Sequence, residues 1–352
     1  MKLIPSGYTV FHEDLESVAL ALEPQFSDFD GARIFITGGT GFFGIWLLEC
    51  LLWIIENKNL NLQLFILSRN PNVFLAKRAP HLHDRNGLTF IEGSLTDFKF
   101  PDVKLTHIIH AASEPNIEHS ENWAQGHIRS SIDGIKNLLE LAAMHRIKSM
   151  LTITSGAVYS PMDSVIGGLS KEGPSNIDDY HSDRIVYGQS KRMMEVMSAV
   201  AARAGSFKAT IARCFCFVGP YLALNANYAV GNFIRDALKG DTIVINGDGT
   251  PMRSYLYPTD LVVWLMTILN KGESGRPYNV GGDVPISIAE LAKLVAAISG
   301  NHVEINIKQI PANGPINYYL PDLTRVFNDL GLSVSIDLKT AIDKTFSWYR
   351  GQ

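Results

Sequence analysis

Phe35 to Trp46 read FITGGTGFFGIW and place a glycine-rich turn between two apolar segments. The run before the turn is rich in β-branched and aromatic residues, and a longer apolar stretch, Ile45 to Ile55, follows the turn. This order predicts a strand, a tight turn and a helix. Glycine suits the turn because the backbone can approach a pyrophosphate closely and the helix can pack hard on its strand. The first N–H groups of the helix would then face the anion.

A second motif lies far downstream, where Tyr187 to Lys191 read YGQSK. It follows the apolar run Leu151 to Ser155, LTITS, which predicts a strand that ends in a serine. The order of glycine turn, strand-end serine and Tyr-x-x-x-Lys resembles the short-chain dehydrogenases/reductases. With this chain length, the sequence is similar to the extended branch, whose members mostly act on nucleotide sugars. The resemblance runs from about Ala32 to about Tyr349.

The resemblance implies an α/β fold: a doubly wound parallel sheet (Rossmann) with a smaller C-terminal substrate-binding domain. We expect an N-terminal extension at 1–30, a dinucleotide-binding Rossmann domain at 31–213 and a mainly substrate-binding domain at 214–352. A segment at about 255–270 is expected to return to the Rossmann domain. Asp14 to Leu22 carry an apolar stripe at helical spacing. That stripe favours a strap on the surface over a lid above the substrate.

The catalytic prediction rests on Ser155, Tyr187 and Lys191. Tyr187 and Lys191 are four residues apart, so both side chains share one face of the predicted helix. A phenol with a pKa of about 10 is a poor base at neutral pH, but a neighbouring ammonium favours its anion. Tyr187 is therefore interpreted as the general acid/base, while Lys191 also holds the nicotinamide ribose. Ser155 ends a strand where such sheets bind ligands, and its hydroxyl can share the moving proton.

The cofactor prediction uses the glycine turn and the ends of three further strands. Ser68 and Arg69 follow the second strand, which offers no Asp or Glu to an adenosine ribose. An arginine accommodates a 2′-phosphate, so NADP is favoured over NAD unless Arg69 is only a solvated loop charge. Ser94 stands where relatives usually carry Asp. The full set of predicted cofactor contacts is Gly38, Thr40, Gly41, Phe42, Phe43, Gly44, Ser68, Arg69, Ser94, Leu95, Ala111, Ala112, Tyr187 and Lys191.

The two positions after Ser155 separate the branches of the family. Sugar 4,6-dehydratases carry Asp-Glu there, and UDP-glucuronate decarboxylases place Glu at the second position, whereas this chain has Gly156 and Ala157. The resemblance therefore implies hydride chemistry, most simply at C4 of the sugar, as epimerisation or ketone reduction. One alternative is a dehydratase that uses unusual acids such as Glu114. Another is a non-catalytic dinucleotide sensor or scaffold, against which the intact Ser155, Tyr187 and Lys191 argue.

The resemblance also implies contacts to a nucleoside-diphosphate sugar. Arg253 matches an arginine that binds the diphosphate, a task for which a fixed guanidinium fork is suited. Asn232 matches a polar substrate contact, and Cys216 stands where the family usually has Asn. Glu114 is predicted either as a second acid/base or as a solvated loop carboxylate. The predicted substrate-binding set is Ser113, Glu114, Ser155, Asn232 and Arg253.

Composition narrows the partners and the location. The 352 residues are 46% hydrophobic, enough for a sizeable core, and a net charge of -4 gives no basic footprint for nucleic acid. The three cysteines form no zinc-type or redox spacing, so we expect no metal and a reducing, cytoplasmic location. The N-terminus has no apolar core of signal-peptide length, and the longest apolar run, Ile45 to Ile55, is too short to span a bilayer, so we expect no membrane partner. Relatives pair the helix at Ile128 to Arg146 with the Tyr187 helix across a two-fold axis, which implies a homodimer.

Overall fold

The computed structural model describes residues 8–112, 123–159, 169–170, 183–205, 207–311 and 316–351. The first half of the chain holds α1 (His12–Leu22), α2 (Phe26–Phe29), β1 (Ala32–Thr37), α3 (Phe42–Lys58), β2 (Leu62–Ser68), α4 (Pro71–Lys77), β3 (Leu88–Ser94), β4 (Asp97–Phe98), β5 (His107–His110), α5 (Trp123–His145) and β6 (Ser149–Ser155). The second half holds β7 (Leu169–Ser170), α6 (Asp183–Arg203), β8 (Lys208–Cys214), β9 (Cys216–Phe217), α7 (Ala229–Lys239), β10 (Ile243–Ile245), β11 (Met252–Arg253), β12 (Tyr255–Leu256), α8 (Pro258–Lys271), β13 (Pro277–Val280), β14 (Ile286–Ser287), α9 (Ile288–Ser299), β15 (Ile305–Ile307), β16 (Tyr318–Pro321), α10 (Thr324–Leu330) and α11 (Leu338–Arg350). Short 3₁₀ turns lie at Glu23–Gln25, Pro80–Leu82 and Gly156–Val158.

Eight strands form the central sheet, in the order β13-β8-β6-β5-β1-β2-β3-β4. The pairs β1–β2, β1–β5, β2–β3 and β5–β6 are parallel, and β4 runs antiparallel to β3 at the edge. The inner order β3-β2-β1-β5-β6-β8 is that of the doubly wound dinucleotide-binding fold, in which the strand order reverses beside the first strand. The predicted fold class is therefore confirmed.

Strand β1 and helix α3 lie at the centre of the core. Ile34, Phe35 and Ile36 of β1 are fully buried. Helix α3 buries an unbroken run from Gly44 to Ile55, because it is apolar around its whole circumference. Among the residues that the structure describes, no helix is long and apolar enough to cross a membrane.

The segment before β1 packs against α3. The apolar stripe of α1 is buried, and α1 contacts α3 directly. Just before that helix, Thr9 Oγ1 donates a hydrogen bond to the buried Glu49 at 2.7 Å, and the Tyr8 hydroxyl donates to Glu56 at 2.6 Å. These contacts agree with the interpretation of the segment as a strap.

The chain divides into two compact units. The first comprises Met1–Val158, Asp179–Arg213 and Leu261–Tyr278, and the second comprises Tyr159–Asp178, Cys214–Asp260 and Asn279–Gln352. Within the second unit, α7 packs on α9 and on β10, which pairs in parallel with β15. A four-stranded sheet of the order β14-β11-β16-β7 also belongs to this unit. The roles assigned to the two parts of the chain from the sequence stay predictions.

Candidate active site

The glycine turn lies between β1 and α3, against the end of β5. Gly38 has a φ of 73°, and a Cβ there would lie 2.5 Å from the backbone nitrogen of Ala112. A Cβ on Gly44 would lie 2.3 Å from the Gly38 carbonyl oxygen, so α3 packs on the turn itself. Glycine is required at both positions because any other side chain would collide with backbone. Helix α3 begins at Phe42, which places its first N–H groups at the turn.

A cleft of about 270 Å³ opens in the first unit where the strand order reverses. Doubly wound sheets bind their ligands at this place, outside the carboxyl ends of the strands. The predicted site residues that line it are Gly38, Thr40, Gly41, Ser68, Arg69, Ser94, Leu95, Ala111, Ala112 and Lys191. Five other predicted residues of this unit that the structure describes do not line the cleft: Phe42, Phe43 and Gly44 continue the turn into α3, Ser155 ends β6 and Tyr187 lies on α6.

Two arginines lie close to the glycine turn. Arg69 lines the cleft directly after β2. Arg78, at the end of α4, donates from Nη1 to the Thr40 carbonyl oxygen at 3.1 Å. No Asp or Glu is found among the described residues that line the cleft. This edge of the cleft is therefore suited to an anionic group.

Helix α5 supports the wall formed by Ser94 and Leu95. The Ser94 hydroxyl accepts a hydrogen bond from the Asp97 N–H at 3.1 Å and so stabilises its own turn. Asn137 Nδ2 donates to the Leu95 carbonyl oxygen at 2.9 Å. A Cβ on Gly134 would lie 3.1 Å from the Leu95 Cβ, so the helix and this wall are in close contact.

Thr37 and His110 also line the cleft, although the sequence analysis did not assign them to the site. Thr37 Oγ1 lies 2.7 Å from His110 Nδ1 and accepts a hydrogen bond from the Ala112 N–H at 3.3 Å. Burial, and then the charge of Lys191, lowers the pKa of His110 to about 3. The imidazole is therefore neutral at pH 7.

Helix α6, which carries Tyr187 and Lys191, packs on β6 and on the 3₁₀ turn that follows Ser155. Lys191 is buried, and its Nζ lies 5.7 Å from the centroid of the Tyr187 ring. The Ser155 hydroxyl accepts a hydrogen bond from the Ala157 N–H at 3.1 Å. A Cβ on Gly188 would lie 2.3 Å from the Ala157 carbonyl oxygen. The glycine beside Tyr187 therefore lets α6 touch the turn that directly follows the serine.

A buried ion pair fastens α6 to the sheet. Glu195 accepts two hydrogen bonds from Arg213 of β8, one from Nε at 2.9 Å and one from Nη2 at 2.7 Å. Thr154, next to Ser155 on β6, donates from Oγ1 to Glu195 Oε1 at 2.8 Å. The helix that carries the Tyr-x-x-x-Lys motif is thus tied to the strand that carries the serine.

His127 of α5 is the main residue that the sequence analysis missed. Its ring centroid lies 5.3 Å from that of Tyr187, and it lines the cleft together with Ser130 and Ser131. The spacing Trp123, His127, Ser131 was the signal, because residues four apart share one face of a helix. The other lining residues that were not predicted are Leu67, Gly93, Thr96 and Met194.

Asn232 and Arg253, predicted to bind substrate, lie in the second unit. The Asn232 Oδ1 accepts a hydrogen bond from Arg235 Nη1 at 3.0 Å. The guanidinium carbon of Arg253 lies 5.6 Å from the centroid of the Tyr319 ring. Burial raises the pKa of the Cys216 thiol to about 11, so this side chain stays protonated at pH 7.

Two predicted residues cannot be placed, because Ser113 and Glu114 lie outside the described residues. Across the described ranges, no group of three or more His, Cys, Asp or Glu side chains could hold a metal ion.

Comparison with known proteins identifies the family. The sequence profile of the NAD-dependent epimerase/dehydratase family matches residues 34–281, which include the glycine turn and the Tyr-x-x-x-Lys motif. The chain belongs to this family. The predicted resemblance to the nucleotide-sugar branch of the extended short-chain dehydrogenases/reductases is thereby confirmed, and the chain is an enzyme that depends on a nicotinamide dinucleotide.

Individual relatives are distant but cover most of the chain. UDP-glucuronic acid decarboxylase 1 of Xenopus tropicalis is 26% identical over 336 residues, 92% of this chain and 73% of that protein. UDP-glucuronate 4-epimerase 4 of Arabidopsis thaliana is 24% identical over 343 residues, 91% of this chain and 76% of that protein. The structure of UDP-glucose 4-epimerase from Thermotoga maritima, solved with UDP-glucose, has a TM-score of 0.75 and 22% identity. It covers 91% of this chain and 99% of its own, which shows that the two share a fold.

Proposed function

We propose that this enzyme acts on a nucleoside-diphosphate sugar by NAD(P)-dependent hydride transfer at C4, as an epimerase or as a 4-keto reductase. The observation that carries the proposal is the arrangement at the end of β6. There α6, which carries Tyr187 and Lys191, touches the turn that follows Ser155, and the two positions after the serine, Gly156 and Ala157, carry no acid or base.

The cleft fits a dinucleotide. The turn at Gly38 and Gly44 has no room for a Cβ, so a pyrophosphate can approach the backbone and the first N–H groups of α3. The small side chains of Ala111 and Ala112 line the cleft at the end of β5. Lys191 is proposed to hold the nicotinamide ribose. When bound, the nicotinamide supplies the acceptor or donor of the hydride.

Tyr187 is proposed to move the proton of the reacting sugar oxygen. The buried ammonium of Lys191 lies within 5.7 Å of the ring centroid and favours the phenolate over the phenol. The Ser155 hydroxyl can donate to the reacting oxygen while it accepts from a neighbour, because a hydroxyl has both capacities. These three residues are sufficient for proton transfer coupled to hydride transfer.

Gly156 and Ala157 support hydride exchange over elimination. Loss of water across C5 and C6 needs an acid and a base near those carbons, and neither position has a side chain that transfers protons. Relatives of the chain include both a decarboxylase and a 4-epimerase by name. Of these two activities, 4-epimerisation is the one that hydride exchange at C4 accomplishes by itself.

The substrate contacts are proposed from the family motifs. Arg253 would bind the diphosphate, and its guanidinium is already ordered by Tyr319 and by a hydrogen bond from Nη1 to the Met252 carbonyl oxygen at 2.7 Å. Asn232 would contribute a polar contact from α7. Ser155, at the end of β6, completes the proposed set together with Ser113 and Glu114.

NADP is the proposed cofactor in preference to NAD. Arg69 lines the cleft after β2, and Arg78 is fastened to the glycine turn through Thr40. A 2′-phosphate would meet a guanidinium group at this edge, whereas the described lining offers no carboxylate to a ribose 2′-hydroxyl.

We further propose that two copies of the chain associate through α5 and α6 and that the enzyme works in the cytoplasm. Met193, Val196 and Val200 lie on one face of α6 and are each about half exposed. A second copy of the same helices would bury this apolar face symmetrically. Three free cysteines, Cys50, Cys214 and Cys216, suit a reducing compartment.

The test of the proposed reaction is a panel of nucleoside-diphosphate hexoses and their 4-keto-6-deoxy derivatives, incubated with enzyme and either dinucleotide. The product masses are then compared with the substrate masses. An isomer of unchanged mass indicates epimerisation, and a gain of two hydrogens indicates ketone reduction. Loss of water would contradict the proposal and would make Glu114 the first candidate for the missing acid.

A further inference from the structure

Two helices present matching ladders of side chains beside the cleft. On α5, Trp123, His127 and Ser131 follow one another at intervals of four, so they lie on one face of the helix. On α6, Tyr187 and Lys191 have the same spacing. The two helices pack side by side.

His127 of the first ladder contacts the second ladder. Its ring stacks on the indole of Trp123, with the centroids 4.8 Å apart and the planes at 13°. On its other side it meets the phenol ring of Tyr187, with the centroids 5.3 Å apart and the planes at 36°. Its Nε2 lies 3.5 Å from the hydroxyl of Ser131. His127 is 3% exposed, so its position is fixed by these contacts.

The imidazole is neutral at the pH of the cell. Burial, and then the positive charge of Lys191, lowers the pKa of His127 to about 4. A neutral ring can lie close to an ammonium without charge repulsion. The group that stands beside Tyr187 is therefore a flat, uncharged ring, with one N–H donor and one acceptor nitrogen.

We propose that His127 is a positioning residue for Tyr187: its ring, supported by Trp123, forms the wall that holds the phenol in place beside the cleft. This inference rests on the proposed function in one respect, namely that Tyr187 is the acid/base. The contribution of His127 is a flat ring on which the phenol can stack. A phenylalanine at this position would supply such a ring, whereas a glutamine would not. A misplacement of a reacting group by 1 Å can cost about 10²-fold in rate.

The first experiment compares His127→Gln, His127→Phe and a control on the same helix, His145→Gln. His145 accepts a hydrogen bond from the Leu105 N–H at 3.3 Å and lies eighteen residues beyond His127, roughly 27 Å along the axis. We expect His127→Gln to lower kcat, measured at saturating dinucleotide, by about 10- to 100-fold. His127→Phe should retain most of the kcat, and His145→Gln all of it. Full activity in His127→Gln, or equal loss in His127→Phe, would overturn the proposal.

The second experiment needs no sugar substrate. In protein with isotope-labelled tyrosine, the ring signal of Tyr187 is assigned by its loss in Tyr187→Phe. We expect this signal to keep its ring-current shift in His127→Phe and to lose it in His127→Gln. An unmoved signal in His127→Gln would overturn the positioning role, whatever the enzyme turns over. A signal that moves as expected, in a protein with no activity on any nucleotide sugar, would support the positioning contact and overturn the proposed function.

Discussion

Lys191 is a lysine with only 2% of its surface exposed, an environment that is rare for an ammonium group. Its charge contributes to the lowered pKa of both His110 and His127, because a second cation nearby is unfavourable. The same charge favours an anion, and the phenol of Tyr187 is the neighbour that can become one. The proposed role of the tyrosine as a base at neutral pH depends on this single buried cation.

Tyr187→Phe should abolish turnover and leave dinucleotide binding nearly intact, because the phenol oxygen serves proton transfer and the glycine turn serves binding. General acid/base groups typically contribute ~10²- to 10⁴-fold to the rate. The measurement pairs a turnover assay with a titration of the dinucleotide on the same variant. Turnover within about twofold of the parent would remove Tyr187 from the mechanism, because the loss of a general acid/base group lowers the rate much more than that.

Arg69→Ala should weaken NADP(H) binding much more than NAD(H) binding, because only NADP(H) carries a 2′-phosphate for the guanidinium. Hydrogen bonds to charged groups contribute about 1.5–3 kcal/mol, so the ratio of the two dissociation constants should shift by roughly 10- to 100-fold. Arg33→Ala is the matched control, because Arg33 contacts Gln63 on the neighbouring strand. A ratio that stays constant in Arg69→Ala would show that the cofactor preference lies elsewhere.

Residues of the site could be predicted from the sequence where a motif indicates both the place of a residue in the fold and its chemical role. Gly38 and Lys191 belong to such motifs, and both line the cleft. His127 and Thr37 could not be found in this way, because their place at the cleft depends on which helix and strand lie next to them in space. The spacing from Trp123 to Ser131 indicates one helix face, but it does not indicate what that face meets.

At the scale of elements, the position of α6 relative to β6 decides whether the site is assembled. Gly188 allows the helix to approach the turn at Ala157, and the ion pair of Glu195 with Arg213 holds it there. Both residues of the pair are buried, and Arg213 is the nearer of two cations to Glu195, at 2.7 Å against 3.9 Å for Arg192. The orientation of the Glu195 carboxylate is fixed further by a third hydrogen bond, which Thr154 donates.

Arg213→Met should destabilise the protein by about 3–5 kcal/mol, because it leaves the Glu195 carboxylate buried without its guanidinium. The double variant with Glu195→Met should be closer to the parent, since both charges are then removed. Arg276→Ala, which removes the exposed pair with Glu273, is the control and should change stability by less than about 1 kcal/mol. Urea unfolding measures the free energy of unfolding of the single variant, the double variant and the control. Equal stability of Arg213→Met and the control would contradict this account of α6.

The larger elements were predictable because their periodicity is local. Strands β1, β2, β5 and β6 read as apolar runs, and α3 as a longer one, because they are buried almost along their whole length. The two-residue strands, such as β11 and β14, left no such pattern. Their identity comes from pairing partners that are distant in the sequence, as in the register of Met252 with Ser287.

At the scale of the whole molecule, the exposed apolar face of α6, formed by Met193, Val196 and Val200, is a feature that a single chain leaves unexplained. Val196→Glu combined with Val200→Glu should convert a dimer into a monomer, because each charge would have to be buried in the proposed interface. Leu20→Glu, which makes the same change at an exposed leucine of α1, should leave the dimer intact. Light scattering at micromolar concentration distinguishes the two states. A parent protein that is already monomeric would refute the dimer.

Hydride transfer at C4 between the sugar and the dinucleotide is tested most directly by isotopic labelling of that carbon. A nucleoside-diphosphate hexose with deuterium at C4 should yield an epimer that keeps its deuterium, because the hydride is transferred without exchange with water. If the enzyme is a reductase, a 4-keto sugar should instead receive one deuterium at C4 from a deuterated reduced dinucleotide. A product in which C4 has lost its deuterium to solvent, or whose new hydrogen comes from water, would contradict the account.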